Sequence, residues 1–301
     1  MVMKKLFILT FLIFAGKTFA QTEGYAKNND SSLTYYKTFG KGEPLLIING
    51  GPGMNSNGFE NMAKTLSENQ QTIIYDQRGT GKSKLANLNA KTVSMKLMAD
   101  DIESLRKHLK IKKWNILGHS FGGMLASYYA TVYPESIDKL ILSSSGGVDL
   151  TLLKSPNLIE SGLNQSQKDS LTYWNTKIEK GDTSYTARIG RGKAMAPAYV
   201  YDQQYAPIIA ERLTQGNSTI NGLLWSDMQK MNFDCKAKLK QFKNPVLIIQ
   251  GKEDIISNEI GELAHQTLPN SKLIFLEHSK HYGWLDAREK FFSEINSFLK
   301  S

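Results

Sequence analysis

Six short apolar runs recur along the chain with helical patterns between them, and this alternation limits the fold more than any other feature. The runs are PLLIING (44–50), TIIYD (72–76), KWNIL (113–117), KLILSS (139–144), PVLIIQG (245–251) and KLIFLE (272–277). Their apolar residues are consecutive rather than alternating, which reads as strands buried on both faces. Leu97, Ile102, Leu105 and Leu109 mark one apolar helix face, and Phe291, Ile295, Phe298 and Leu299 mark another. Strands alternating with helices predict an α/β fold with a mostly parallel central sheet and helices on both faces.

The rhythm stops between about residues 146 and 240. That segment is rich in Tyr, Trp, Gln and Asn, contains helical stretches such as 202–214, and has no strand-like run. The expected organisation is a core of residues 21–145 and 241–301 with an inserted helical cap, 146–240. The cap would cover the carboxyl edge of the sheet, where open α/β sheets bind their ligands. Residues 1–20 read differently again. Lys4 and Lys5 precede an apolar run over 6–15, and Thr18 and Ala20 are small residues ahead of Gln21. This is the pattern of a secretory signal peptide cleaved after Ala20, and the run is short for a bilayer span. An exported chain, periplasmic or secreted and with no stable membrane anchor after cleavage, is the expectation.

Loss of Lys4, Lys5 and Lys17 takes the net charge from +9 to +6. The lysine groups at 107, 110, 112 and 113 and at 236, 238, 240 and 243 lack interleaved aromatic residues, so they read as solvated helix faces rather than a nucleic-acid surface. Cys235 is the single cysteine. It excludes an intramolecular disulfide and argues against a cysteine nucleophile or a thiolate metal site. No metal-ligand pattern stands out, and no cofactor is expected.

The segment NILGHSFGGMLASYY (115–129) carries the chemistry. A Gly-x-Ser-x-Gly match is weak alone, but here a strand candidate precedes it and a good helix former follows. That context is the one a nucleophile elbow requires. Ser120 would sit on a strained turn, with Gly118 and Gly122 leaving room, and the helix N-terminus beyond it would favour an oxyanion. A serine nucleophile needs a base, and the base needs an orienting acid. Of the five histidines, His108 and His265 lie in helix patterns and His119 adjoins Ser120. His278 and His281 follow the last strand and remain as candidates. The acid is expected in the loop after 245–251, as Asp254 with Glu253 second. The oxyanion donors are expected to be the backbone N–H groups of Gly51, in the NGGPG loop, and Phe121.

NGGPG (49–53), YDQRGTGKS (75–83), GHSFGGMLA (118–126), GKED (251–254) and HSKHYGW (278–284) together resemble the α/β-hydrolase superfamily, and within it the proline iminopeptidase (prolyl aminopeptidase) family. The resemblance spans residues from about 30 to 300. It implies an α/β-hydrolase fold, the chain order Ser120, Asp254, His281 for the catalytic residues, and a scaffold role for Arg78. It also implies a serine hydrolase that works through an acyl-enzyme without a metal and acts on small peptides, as an aminopeptidase releasing N-terminal proline or another residue. Asn49 stands where many relatives carry His. The family's aminopeptidases bind the substrate amine with cap acids, for which the candidates here are Glu160, Glu179, Asp202, Glu211 and Asp227, with Trp225 lining an apolar pocket. The alternatives are an esterase, lactonase or amidase on a small apolar substrate, and a ligand-binding hydrolase fold without turnover.

Overall fold

In the computed structural model, which describes residues 21–154 and 158–301, the described residues form an eight-stranded sheet. The expected signal peptide, 1–20, lies outside the described residues. The strands are β1 (Gln21–Lys27), β2 (Leu33–Phe39), β3 (Pro44–Ile48), β4 (Gln71–Tyr75), β5 (Trp114–His119), β6 (Ile137–Ser143), β7 (Val246–Gly251) and β8 (Ser271–Leu276), in the order β1-β2-β4-β3-β5-β6-β7-β8. The six apolar runs are β3 to β8, all parallel to one another. β1 and β2 join antiparallel at one edge.

Successive residues of β3 point to opposite faces, as a strand must. Leu46 and Ile48 enter one buried cluster with the helices Met95–His108 and Phe121–Val132. Leu45 and Ile47 enter the other with the helices Glu60–Leu66 and Arg288–Lys300. Both faces of the central strands are therefore dry, which is why their sequences read as unbroken apolar runs.

Between β6 and β7 the chain forms the helices Leu158–Ser161, Gln165–Glu179, Tyr185–Tyr199, Ala206–Leu213, Ser218–Lys230 and Lys236–Leu239. Among the described residues this segment holds no strand, only an isolated bridge between Asp149 and Asp234. The expected helix 202–214 is a 3-10 turn, Gln203–Tyr205, followed by the α-helix Ala206–Leu213. Pro207 sits in its first turn, where a missing N–H is harmless. Ile220, Leu224 and Met228 join the first core cluster, while Ile209, Ala210 and Leu213 join the second. This insertion therefore shares both hydrophobic cores with the sheet. Among the described residues no helix is long and apolar enough to cross a membrane.

Candidate active site

The site is assembled at the carboxyl ends of β3, β5, β7 and β8. β5 ends at His119, the helix Phe121–Val132 begins at Phe121, and Ser120 alone makes the turn between them. Its φ of 56° and ψ of −122° are far from the regions a side chain ordinarily permits. The turn is held by main-chain bonds: the Ser120 amide donates to the Ser143 carbonyl at 3.0 Å, and its carbonyl accepts from Gly123 at 2.9 Å and Gly146 at 3.0 Å. A strained backbone persists only when its surroundings over-determine it, as these bonds do here.

His281 follows β8 and Asp254 follows β7. His281 Nδ1 lies 2.8 Å from Asp254 Oδ1, which also accepts from the Ile256 amide at 3.1 Å. Both side chains are buried, and Asp254 Oδ2 has no partner among the described residues. With Nδ1 engaged, Nε2 is the nitrogen of His281 left without a protein partner among the described residues. The pair is joined to the turn through His119, whose ring centroid is 4.7 Å from that of His281. His119 is wholly buried among Phe59, Tyr282 and Trp284. Burial first, and then the neighbouring His281 and Arg212, push the His119 imidazole well below its ordinary range, so it stays neutral.

His278 and Glu253, the other candidates, point elsewhere. His278 Nδ1 lies 3.1 Å from the Tyr201 hydroxyl, and Glu253 accepts from the Ser279 amide at 3.1 Å. The thiol of Cys235 is pushed up to about 12 by burial and stays protonated. Among the described residues no group of three or more His, Cys, Asp or Glu could hold a metal ion.

The loop after β3 packs directly on the turn. A Cβ at Gly50 would stand 2.7 Å from Ser120 Cβ and 2.9 Å from the His119 carbonyl, so no larger residue fits. The next amide, Gly51, and the first helical amide, Phe121, have no acceptor among the described residues. Asn49 braces this loop: its Nδ2 donates to the carbonyls of Gly50 and Met54, both at 3.0 Å, and its own carbonyl accepts from Gln77 at 2.7 Å. Arg78, of the same DQRG turn, is buried and pairs with Asp101 and with Asp30, the latter at 2.6 Å, which is a scaffold arrangement.

The segment between β6 and β7 reaches the site mostly through its backbone. The His281 amide donates to the Tyr199 carbonyl at 3.0 Å, and the Tyr199 ring meets His281 edge-on. Asp286 accepts from the amides of Tyr201, Asp202 and Lys280 at 2.9–3.1 Å. Glu160, Glu179, Asp202 and Glu211 are exposed. Asp202 caps the turn at Gln204, and Glu211 accepts from the Tyr185 hydroxyl at 2.6 Å. Asp227 accepts from the Met95 amide at 2.8 Å, at the start of a core helix. Trp225 is half-buried against the first core cluster. Sequence reasoning passed over Arg212, which reaches the Gly50 carbonyl; a lone arginine on an amphipathic helix gives no sign that it turns inward.

The family described as alpha/beta hydrolase fold matches residues 43–287. The chain is 28% identical over 300 residues to a proline iminopeptidase of Clostridium botulinum, covering 92% of this chain and 98% of that protein. It is also 28% identical over 302 residues to one from Clostridioides difficile, covering 93% and 98%. Among solved structures, an alpha/beta fold family hydrolase from Bacillus anthracis matches with a TM-score of 0.75 at 24% identity, over 92% of this chain and 99% of that one. An esterase from Exiguobacterium antarcticum matches with a TM-score of 0.72 at 23% identity, over 93% and 100%. At these identities the solved structures speak for the fold alone.

Proposed function

The chain belongs to the α/β-hydrolase fold family and is a hydrolase, and from that premise we propose that it is a serine hydrolase working through an acyl-enzyme, with N-terminal residues of small peptides, proline among them, as its substrates. The observation that carries the mechanism is the buried His281–Asp254 pair set against the Ser120 turn. Ser120 Oγ attacks the scissile carbonyl while His281 Nε2 takes its proton. Asp254 keeps the imidazole proton on Nδ1 and faces the imidazolium as it forms. The amides of Gly51 and Phe121 receive the oxyanion. His281 then protonates the leaving group, and water repeats the sequence on the acyl-enzyme. Export, with cleavage before Gln21, is part of the proposal and rests on the pattern of residues 4–20.

The peptide substrate is supported by the proline iminopeptidases that match almost end to end. A second reading, an esterase or amidase on a small acyl substrate, is favoured by a specific observation: Asp202 is taken by the Gln204 amide, Glu211 by the Tyr185 hydroxyl and Asp227 by the Met95 amide. An aminopeptidase must meet a substrate ammonium near the scissile carbonyl with a carboxylate, because an unpaired charge is costly in a water-poor site. Acetylating the amine of an aminoacyl-amide discriminates the two. The aminopeptidase reading expects kcat/KM to fall about 10²-fold or more, since a buried carboxylate loses its partner. Equal rates on free and acetylated substrates refute it and leave the esterase or amidase.

A further inference from the structure

Arg212 lies on the helix Ala206–Leu213, between β6 and β7, yet it is only 5% exposed. Arginines are almost never this buried unless their charge is paired. Here, among the described residues, the guanidinium is held by backbone carbonyls, an aromatic face and the Tyr282 hydroxyl. Nη2 donates to the Gly50 carbonyl at 3.0 Å, Nη1 reaches the Asn55 carbonyl at 3.4 Å, and the guanidinium carbon is 4.8 Å from the Phe59 ring centroid. Gly58 admits it: a Cβ there would stand 2.5 Å from Nη1.

The Gly50–Gly51 peptide is trans, so its C=O and N–H point in opposite directions in one plane. Two donors grip the oxygen edge, Arg212 Nη2 and Asn49 Nδ2, each at 3.0 Å. The other edge carries the Gly51 N–H. Fixing the oxygen therefore fixes the direction of the N–H, and a cation on the carbonyl also withdraws electron density from the amide, making it a stronger donor.

We propose that Arg212 is a positioning residue for acyl transfer: through the Gly50 carbonyl it orients and polarises the peptide whose N–H receives the oxyanion, so that this donor is in place only while the Arg212 helix is docked. The inference rests on the serine-hydrolase reading above, with Gly51 as an oxyanion donor. It makes the segment between β6 and β7 part of the catalytic apparatus, quite apart from any contact it makes with substrate.

The test compares wild type with Arg212→Met and Arg212→Gln, both of which remove the charge. A 4-nitrophenyl ester and its thionoester serve as substrates, and fluorophosphonate labelling of Ser120 reports the nucleophile. Sulfur accepts hydrogen bonds poorly, so the oxygen-to-sulfur rate ratio measures the oxyanion donors specifically. A merely structural role would not move that ratio. Losing one whole donor costs about 10²–10³ in kcat, so a misaimed one is expected to cost about 10- to 10²-fold, with KM little changed and the ratio falling. A folded Arg212→Met with the wild-type ratio overturns the proposal, and Arg212→Gln applies the same criterion should Met fail to fold. If wild type takes no label on Ser120, the serine-hydrolase reading falls and this assignment with it. Labelling of wild type with an unchanged ratio in the variants removes this assignment alone.

Discussion

Asp254→Asn tests the candidate site at its most informative atom. Two donors, His281 Nδ1 and the Ile256 amide, converge on Asp254 Oδ1, and Oδ2 is buried without a partner among the described residues. Asparagine has the same volume and two ways to sit. With its oxygen in the Oδ1 position both hydrogen bonds survive, but the NH2 group is buried without an acceptor, at a cost of about 1–3 kcal/mol. With its nitrogen there, it confronts the Ile256 N–H and forces His281 Nδ1 to accept. The imidazole proton then moves to Nε2, where a base needs a lone pair. In either pose the negative charge that faces the imidazolium is gone. An Asp→Asn change in a Ser-His-Asp triad lowers kcat about 10⁴-fold with the geometry intact, which is about 5.4 kcal/mol on the barrier. The assay is steady-state hydrolysis of a 4-nitrophenyl ester, with Tm measured on the same preparation. A folded Asn variant within tenfold of the wild-type kcat would refute the role given to Asp254.

Three further outcomes follow from the same geometry. Ser120→Ala is expected to abolish both turnover and fluorophosphonate labelling, since loss of a triad serine costs on the order of 10⁶ in kcat; residual activity of a few per cent in the purified variant would point to another nucleophile. Gly122→Ala places a Cβ 2.2 Å from the Ile48 carbonyl and 2.7 Å from that of Asn49. Overpacking of this kind costs about 1–3 kcal/mol or more, so thermal unfolding should show a clear drop in Tm, and an unchanged Tm would mean that the elbow has slack. For His119 the folded imidazole is held well below its ordinary value of 6.5. The unfolded chain therefore binds a proton that the folded chain refuses, and this stability is lost as pH falls from about 6.5, by about 1.4 kcal/mol per unit. Denaturant titrations between pH 7 and 5 should show a shallower pH slope for His119→Gln than for wild type, and equal slopes would refute the assignment.

The parallel strands could be read from the sequence because burial on both faces writes itself as unbroken apolar runs. β1 and β2 could not. Their sequences, QTEGYAK and LTYYKTF, are mixed, and in the sheet they pair antiparallel at one edge with β1 largely exposed. The elbow was legible because its backbone admits so few residue types at 118 and 122. The neighbourhood of Asp254 and His281 was legible because loops after successive parallel strands open on one edge. His278 and His281 part only in three dimensions: His278, at a φ of 53°, lies against Tyr201, and His281 is buried against Asp254. The cap acids and Arg212 were illegible for a common reason. A charged residue on an amphipathic helix looks the same in sequence whether it meets water, a helix amide or the loop after β3, and only docking against the sheet decides.

The bond from the His281 amide to the Tyr199 carbonyl joins two backbones and asks nothing of either side chain. Any residue at 199 offers the same acceptor, and at 281 only proline would remove the donor. A lineage could therefore rewrite much of the lining of the insertion, Arg212 aside, and try new substrates without loosening its hold on the histidine loop. The seam between this insertion and the histidine loop is thus a hydrogen bond that mutation can hardly reach.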